Sequence, residues 1–289
     1  MTNYFRNSLT GTAKRREDLA CFTAAISILF QYQAEDLSRG PTSSAVPCRA
    51  GPCRAVPTPL LSSAPPPRRR NRPRAAPCRA AMAGAFSLRE VLAAFQACVT
   101  ERREVLLGPY LSGWRGLIRF LHTLGAIFSF ISKDAVAKVQ LMEDYCRGEQ
   151  REQYVSLQAM VRYELAQGLL DAPGRPDSGC RTVLRLHRAL RWLQLFLEGL
   201  RTARQDSRTS TICTDSYNAS LAAYHPWVVR KAATVAFRTL PPRDAFLQIM
   251  NVGTAEEAVA MLGEALPYIG DVYDITQQLF AQHELLDLP

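Results

Sequence analysis

The 289-residue sequence lacks the features that define several large classes of protein. Its longest apolar runs, such as LGAIFSFI, are far shorter than the roughly 18 residues that a helix needs to cross a bilayer. No run of alternating β-branched residues bounded by turn signals occurs, so strands are not expected. The eight cysteines are scattered, form no C-x-x-C pair and have no histidine cluster beside them. We therefore expect a helical cytosolic protein with reduced thiols and no zinc site.

Motifs of common enzymes are also missing. There is no G-x-S-x-G, no glycine-rich phosphate loop, no H-E-x-x-H and no carboxylate-rich metal set. These absences predict that the protein is not an enzyme and needs no metal or other cofactor.

Basic charge in excess is confined to the beginning of the chain. Residues 1–81 hold 13 Lys and Arg against 4 Asp and Glu, whereas residues 82–289 hold 22 of each. A folded part without a basic surplus does not favour nucleic acid as a partner.

Residues 1–81 are predicted to form a disordered extension. Their second half is rich in Pro, Arg, Ala and Ser, contains PCRA three times and cannot bury enough apolar surface to fold. The segment is either an electrostatic tether to acidic membrane or RNA, or an extension without a function, which we favour. Met82 is a plausible start in its own right, and residues 82–289 are predicted to form the folded domain.

From Ser87 onward the apolar residues recur at helical spacing. Ser87 and Glu90 suggest a capping box, Gly108-Pro109 should break the first helix, and a long helix from Leu111 to about Cys146 should be interrupted near Ser132. The whole pattern predicts an all-α domain of about eight helices.

The segment from Ser178 to Leu200 is the most informative helix. One face is an ordinary core stripe of Val183, Leu186, Leu190, Leu193 and Leu197. The opposite face leads from cationic to aromatic residues: Arg181, Arg185, Arg188, Trp192 and Phe196. A helix of this kind, placed between two layers, suits an amphiphile with an anionic head and an apolar tail. Solvated or paired arginines are the commoner explanation for such a pattern.

Two further sites carry polar groups in apolar surroundings. Asp134 and Lys138 lie one helical turn apart in an apolar stripe, where they form either an ion pair at the rim or a second wall of the site. His225, which precedes Pro226, could point inward as a hydrogen-bonding group. Trp227, followed by Arg230 and Lys231, would suit contact with an anionic membrane surface.

Four segments carry a resemblance to a known family. FISKDAVAKVQLM, SGCRTVLRLHRALRWLQLFLEGLR, DSYNASLAAYHPWVV and the terminal LLDLP resemble the glycolipid transfer protein superfamily, in particular its branch that carries ceramide 1-phosphate. The likeness spans about residues 86–289. It implies a two-layer helical sandwich that holds one sphingolipid and transfers it between membranes without vesicles.

The resemblance also assigns roles to residues. Asp134 and His225 match the residues that grip the ceramide amide, whereas Lys138, Arg181 and Arg185 match those that grip the phosphate. The glycolipid branch carries a sugar-stacking Trp where this chain has Arg185, which argues for phosphate over sugar. The expected apolar pocket for the lipid chains is lined by Phe120, Ile127, Phe130, Leu141, Trp192 and Phe196.

Three functions remain open at this stage. We favour a monomeric cytosolic carrier that contacts Golgi, plasma or other internal membranes transiently and peripherally. The alternatives are a carrier of neutral glycosphingolipids and a helical protein that senses a sphingolipid and signals through a partner.

Overall fold

A computed structural model describes residues 86–125, 128–129, 132–170 and 178–288. The expectation of disorder in residues 1–81 lies outside these described residues. Within them the chain forms nine α-helices, listed here in order: α1 Leu88–Gln96, α2 Leu107–Thr123, α3 Lys133–Arg147, α4 Leu157–Ala166, α5 Gly179–Thr202, α6 Thr209–Asn218, α7 Trp227–Phe237, α8 Arg243–Ile249 and α9 Ala255–Gln282. Two short 3₁₀ turns, Arg151–Tyr154 and Leu221–Tyr224, lie between helices.

The predicted fold class is confirmed. The described residues contain no strand, and their only bridge pairings are isolated ones between Val99 and Val105 and between Leu106 and Ser156. The described residues form one helix more than the expected eight.

Helix α5 is the centre of the domain. It packs against α3, α4, α6 and α9, while α1 packs against both α2 and α9. Both of its predicted faces are covered, since the leucine stripe is buried and Trp192 and Phe196 on the other face are only 5% and 1% exposed. A helix that buries apolar residues on two opposite faces belongs between layers and not on a surface.

Three local predictions about helix ends met different outcomes. The expected interruption near Ser132 is confirmed, because α2 ends at Thr123 and α3 begins at Lys133. The break at Gly108-Pro109 is wrong: both residues lie in the first turn of α2, where the missing N–H of proline costs nothing. The connection to α1 instead spans residues 97–106.

The capping box at Ser87 is also wrong. Ser87 is the N-cap of α1, but its side chain makes no capping hydrogen bond. The carboxylate of Glu90 accepts a 2.6 Å hydrogen bond from Arg119 of α2 instead. Glu90 therefore forms an ion pair with a neighbouring helix in place of the local capping hydrogen bonds that the sequence suggested.

Candidate functional site

The start of α5 is fixed by a buried carboxylate. Glu164 of α4 is only 1% exposed and accepts hydrogen bonds from the backbone N–H groups of Gly179 at 2.7 Å and Cys180 at 2.9 Å. The Tyr154 hydroxyl donates to the same carboxylate at 3.0 Å. An anion at a helix N-terminus stabilises the free N–H groups there. Glu164 therefore determines where α5 begins.

Arg181 and Arg185 extend from the first two turns of α5. Ser178 caps the helix, and its hydroxyl accepts from the Arg181 N–H at 3.2 Å. The Arg181 Nε is buried and has no hydrogen-bond partner among the described residues. A buried donor of this kind is costly unless a ligand accepts from it. Cations at the positive end of a helix also favour an anion nearby.

Asp134 and Lys138 form an ion pair on α3, a helix that packs against α5. The Lys138 side chain is 12% exposed, whereas that of Asp134 is 51% exposed. The pairing at the rim, which the sequence left open, is therefore present. It occupies one of three ammonium N–H donors and one carboxylate oxygen, so both groups retain capacity for a ligand.

His225 lies in the segment before α7 and contacts α6. Its Nδ1 lies 2.7 Å from the Tyr217 hydroxyl of α6. Burial lowers the pKa of His225, and the nearby charge of Asp134 acts in the opposite direction. The imidazole is therefore neutral at physiological pH and lies within electrostatic reach of Asp134.

A series of aromatic rings leads from His225 into the domain. The Tyr217 ring centroid lies 5.8 Å from that of His225, and the Trp192 ring is 6.4 Å from Tyr217. From Trp192 the series continues at centroid distances of 6.4, 5.4 and 5.5 Å, through Phe196, Phe246 and Phe120. His225 thus adjoins one end of a continuous aromatic interior.

The residues expected to line the pocket for the lipid chains differ in how the structure describes them. Phe120, Trp192 and Phe196 are buried members of the aromatic series, and Leu141 is half-buried on α3. Ile127 and Phe130 lie outside the described residues. Their role as a lipid pocket stays a prediction.

The expected membrane contact lies on an exposed part of α7. Trp227 begins the helix and is 63% exposed, with the Lys231 Nζ 5.9 Å from the centroid of its ring. Arg230 is also exposed, and Tyr224 just before the helix is 54% exposed. Two exposed aromatics beside two cations form a compact amphipathic patch.

Sequence reasoning missed three residues of this site. Tyr217, Glu164 and Phe246 contact His225, α5 and the aromatic series from other elements of the fold. Tyr217 precedes His225 by only eight residues, within one of the segments that carry the family resemblance. Glu164 and Phe246 have no comparable local signal, since their partners are distant in sequence.

Neither a metal centre nor a membrane span emerges from the described part of the chain. In residues 86–288, apart from the gaps given above, no three His, Cys, Asp or Glu side chains lie together as a metal site would require. Each helix in the same ranges is too short or too polar to cross a bilayer. Cys98, Cys146, Cys180 and Cys213 are free thiols.

Comparisons with known proteins show the family to which the chain belongs. The model of the glycolipid transfer protein family matches residues 105–252. Bovine and human ceramide-1-phosphate transfer proteins are each 63% identical to the chain over 207 residues, covering 71% of this chain and 97% of the relative. The chain belongs to the glycolipid transfer protein family.

Solved structures agree with this assignment. The crystal structure of human ceramide-1-phosphate transfer protein in complex with 2:0 ceramide-1-phosphate matches with a TM-score of 0.69 and 62% identity, covering 71% of this chain and 100% of that chain. These relatives are named for lipid transfer and not for a chemical reaction. They confirm the ceramide-1-phosphate transfer branch that the sequence indicated.

Proposed function

We propose that this protein transfers ceramide 1-phosphate between membranes without vesicles. The observation that supports the proposal is the position of His225, whose imidazole lies 5.8 Å from the Tyr217 ring at one end of the aromatic series. We propose that Asp134 and Lys138 of α3 and Arg181 and Arg185 of α5 complete a headgroup site beside it. Relatives at 63% identity are named for this transfer. No bond is made or broken in this process, so the protein acts as a carrier and not as an enzyme.

In this proposal the phosphate is bound by side chains from two helices. Arg181 and Arg185 lie one turn apart on α5 and supply planar guanidinium donors, and Lys138 of α3 adds a third cation. The partnerless Nε of Arg181 supports this role, because a phosphate oxygen would supply the acceptor it lacks. A neutral sugar would leave the buried Arg181 Nε without the anionic acceptor that a phosphate oxygen supplies.

The amide of the ceramide is bound by Asp134 and His225. The exposed carboxylate of Asp134 accepts from the amide N–H, and His225 donates to the amide carbonyl from Nε2. We assign the neutral His225 tautomer with its proton on Nε2, because burial raises the pKa of Tyr217 to about 12 and its retained proton can be donated to Nδ1. A lipid that lacks the amide would lose both contacts.

The lipid chains enter the aromatic interior. Each buried methylene contributes roughly 0.8 kcal/mol, a gain that the bilayer also offers, so the lipid can leave as readily as it enters. Phe120, Leu141, Trp192 and Phe196 are the described residues to which we assign this contact, together with Ile127 and Phe130 from the sequence prediction.

Membrane contact is assigned to α7. Trp227 supplies an exposed ring of the kind that favours the headgroup region, and Arg230 and Lys231 add attraction to anionic lipid. We propose that a monomer of the protein docks transiently from the cytosol. The lipid-binding domain is proposed to comprise residues 82–289, since the relatives align with 71% of the chain.

A transfer assay between donor and acceptor vesicles tests this function. The full chain is offered ceramide 1-phosphate, galactosylceramide or unmodified ceramide at equal membrane content. Transfer of ceramide 1-phosphate should be the fastest by at least tenfold, the factor expected for about 1.4 kcal/mol of selective headgroup binding. Faster transfer of galactosylceramide would favour a glycolipid carrier, and tight binding without transfer would favour a sensor.

A further inference from the structure

The C-terminal segment after α9 is bound to the central helix. Leu285 is buried, and its N–H donates to the Phe280 carbonyl at 2.8 Å. The preceding residue, Glu284, makes the turn with a φ of 57°. Arg188 of α5 then donates from Nη2 to the Leu286 carbonyl at 2.6 Å. The chain therefore folds back from α9 and is held by a guanidinium one turn beyond Arg185.

The same guanidinium contacts the segment that carries His225. The Arg188 Cζ lies 4.1 Å from the centroid of the Tyr224 ring, and Tyr224 is the residue before His225. Burial lowers the pKa of Arg188, and the charge of Asp287 in the C-terminal segment acts in the opposite direction. Arg188 thus links the C-terminal segment to the side chain of Tyr224, the residue before His225.

His225 is consequently held from two directions. Its side chain is oriented by the Tyr217 hydroxyl at 2.7 Å, while its preceding residue is stacked on Arg188. A 3₁₀ turn of only four residues, Leu221–Tyr224, connects α6 to His225, and the His225 N–H donates to Ala222 of that turn. So short a connection transmits a displacement of Tyr224 directly to the imidazole.

We propose that residues 283–288 and Arg188 form a positioning strap that sets the orientation of His225 toward the lipid amide. This proposal rests on the function proposed above. Without the strap, the phosphate contacts of Arg181 and Arg185 remain, but His225 is no longer aligned with the carbonyl. The strap therefore contributes to selectivity for an amide-containing lipid more than to the binding of a phosphomonoester.

Two variants remove the strap in different ways. Arg188→Gln removes the guanidinium, and a chain that ends at Leu285 removes the carbonyl of Leu286 and everything after it. Arg191→Gln is the matched control, since Arg191 also lies over a tyrosine ring of its own, 5.1 Å from the Tyr273 centroid, and donates to Gln194. Thermal unfolding of each variant identifies any that fails to fold.

The first readout is the NMR titration of His225 in the full chain without lipid. If the strap holds His225 in its buried position, both strap variants should move the pKa of His225 upward toward its ordinary value. The charge of Arg188 helps to lower the pKa of the adjacent His187, so His187 serves as an internal control only in the truncated chain, which keeps Arg188 and in which His187 should titrate unchanged. Since no lipid is present, this readout stands even if ceramide 1-phosphate is not the cargo.

The second readout is the ratio of transfer rates for ceramide 1-phosphate and phosphatidic acid, which has the same phosphomonoester but no amide. Both strap variants should lower this ratio about fivefold to tenfold, as expected for loss of one well-placed hydrogen bond, whereas Arg191→Gln should not. The proposal is overturned if His225 titrates as in the wild type in either folded strap variant. An equal loss of both transfer rates at an unchanged ratio would also overturn it.

Discussion

The Tyr217 hydroxyl lies 2.7 Å from His225 Nδ1, and this contact determines which nitrogen of the imidazole is available to a ligand. In the tautomer proposed above, Nδ1 accepts from the Tyr217 hydroxyl and the proton of the neutral ring resides on Nε2. Since burial lowers the pKa of His225, the site needs no charged imidazole in order to donate a hydrogen bond. Orientation of a neutral group, and not its protonation, is therefore the property that this part of the fold provides.

The first prediction concerns this contact. Tyr217→Phe keeps the ring that packs against Trp192 and Phe237 but removes the hydroxyl. Transfer of ceramide 1-phosphate should fall about threefold to tenfold, the range for loss of one hydrogen bond, with little change in melting temperature. Tyr268→Phe, at an exposed tyrosine of α9, is the control. Wild-type transfer by Tyr217→Phe would show that His225 needs no such orientation.

The second prediction concerns the start of α5. Glu164→Gln replaces a buried carboxylate that accepts from Gly179 and Cys180 with an amide whose NH₂ faces one of those donors. We expect the free energy of unfolding in urea to fall by about 2–3 kcal/mol, because charge-assisted hydrogen bonds at a helix N-terminus are lost. Glu149→Gln, at an exposed position, supplies the control. Equal stability of the two variants would contradict the role assigned to Glu164.

The third prediction is a pH dependence of stability. His187 is 2% exposed, its Nε2 donates to Gln277 at 2.7 Å, and burial lowers its pKa to about 4. Because the folded-state pKa lies below that of the unfolded chain, the stabilisation is complete above pH 6.5 and is lost as the pH falls toward about 4. The loss is on the order of 3 kcal/mol.

Urea unfolding between pH 7 and pH 4 measures this effect. His187→Gln cannot titrate, so its stability should fall less steeply with decreasing pH than that of the wild type. His283→Gln, at an exposed histidine, controls for the substitution itself. Parallel curves for the wild type and His187→Gln would show that His187 does not contribute.

The fourth prediction concerns the exposed patch on α7. Trp227→Ala should weaken binding to phosphatidylserine-containing vesicles by about tenfold, within the range for loss of one interfacial aromatic side chain. Sedimentation with vesicles measures the bound fraction. Tyr268→Ala removes an exposed aromatic ring from a different helix and should bind as the wild type does. Equal weakening in both variants would mean that no particular face of the domain docks on the membrane.

Much of the fold could be predicted from helical periodicity alone. The leucine stripe of α5 and the interruption near Ser132 depend on local spacing, and both are confirmed. The two wrong predictions, at Gly108-Pro109 and at Ser87 with Glu90, concern helix ends, where a single contact decides between alternatives. Glu90 accepts a hydrogen bond from Arg119, a partner 29 residues away that no local pattern reveals.

In the candidate site, too, the contacts between neighbours in sequence could be predicted, whereas those between distant residues could not. The sequence places Asp134 beside Lys138 and Arg181 beside Arg185, because each pair is one helical turn apart. It does not reveal that Arg188 binds Leu286, nearly one hundred residues later, or that Glu164 binds the start of α5. Such contacts arise from packing between helices and require the three-dimensional structure.

The most direct test of the account is the effect of Arg185→Leu on transfer of two lipids by the full chain. We expect ceramide 1-phosphate transfer to fall at least tenfold, since loss of a charged hydrogen bond removes about 1.5–3 kcal/mol, while transfer of unmodified ceramide should not fall. Arg162→Leu, which makes the same change at an exposed position of α4, should leave both rates unchanged. Wild-type transfer of ceramide 1-phosphate by a folded Arg185→Leu protein would contradict the account.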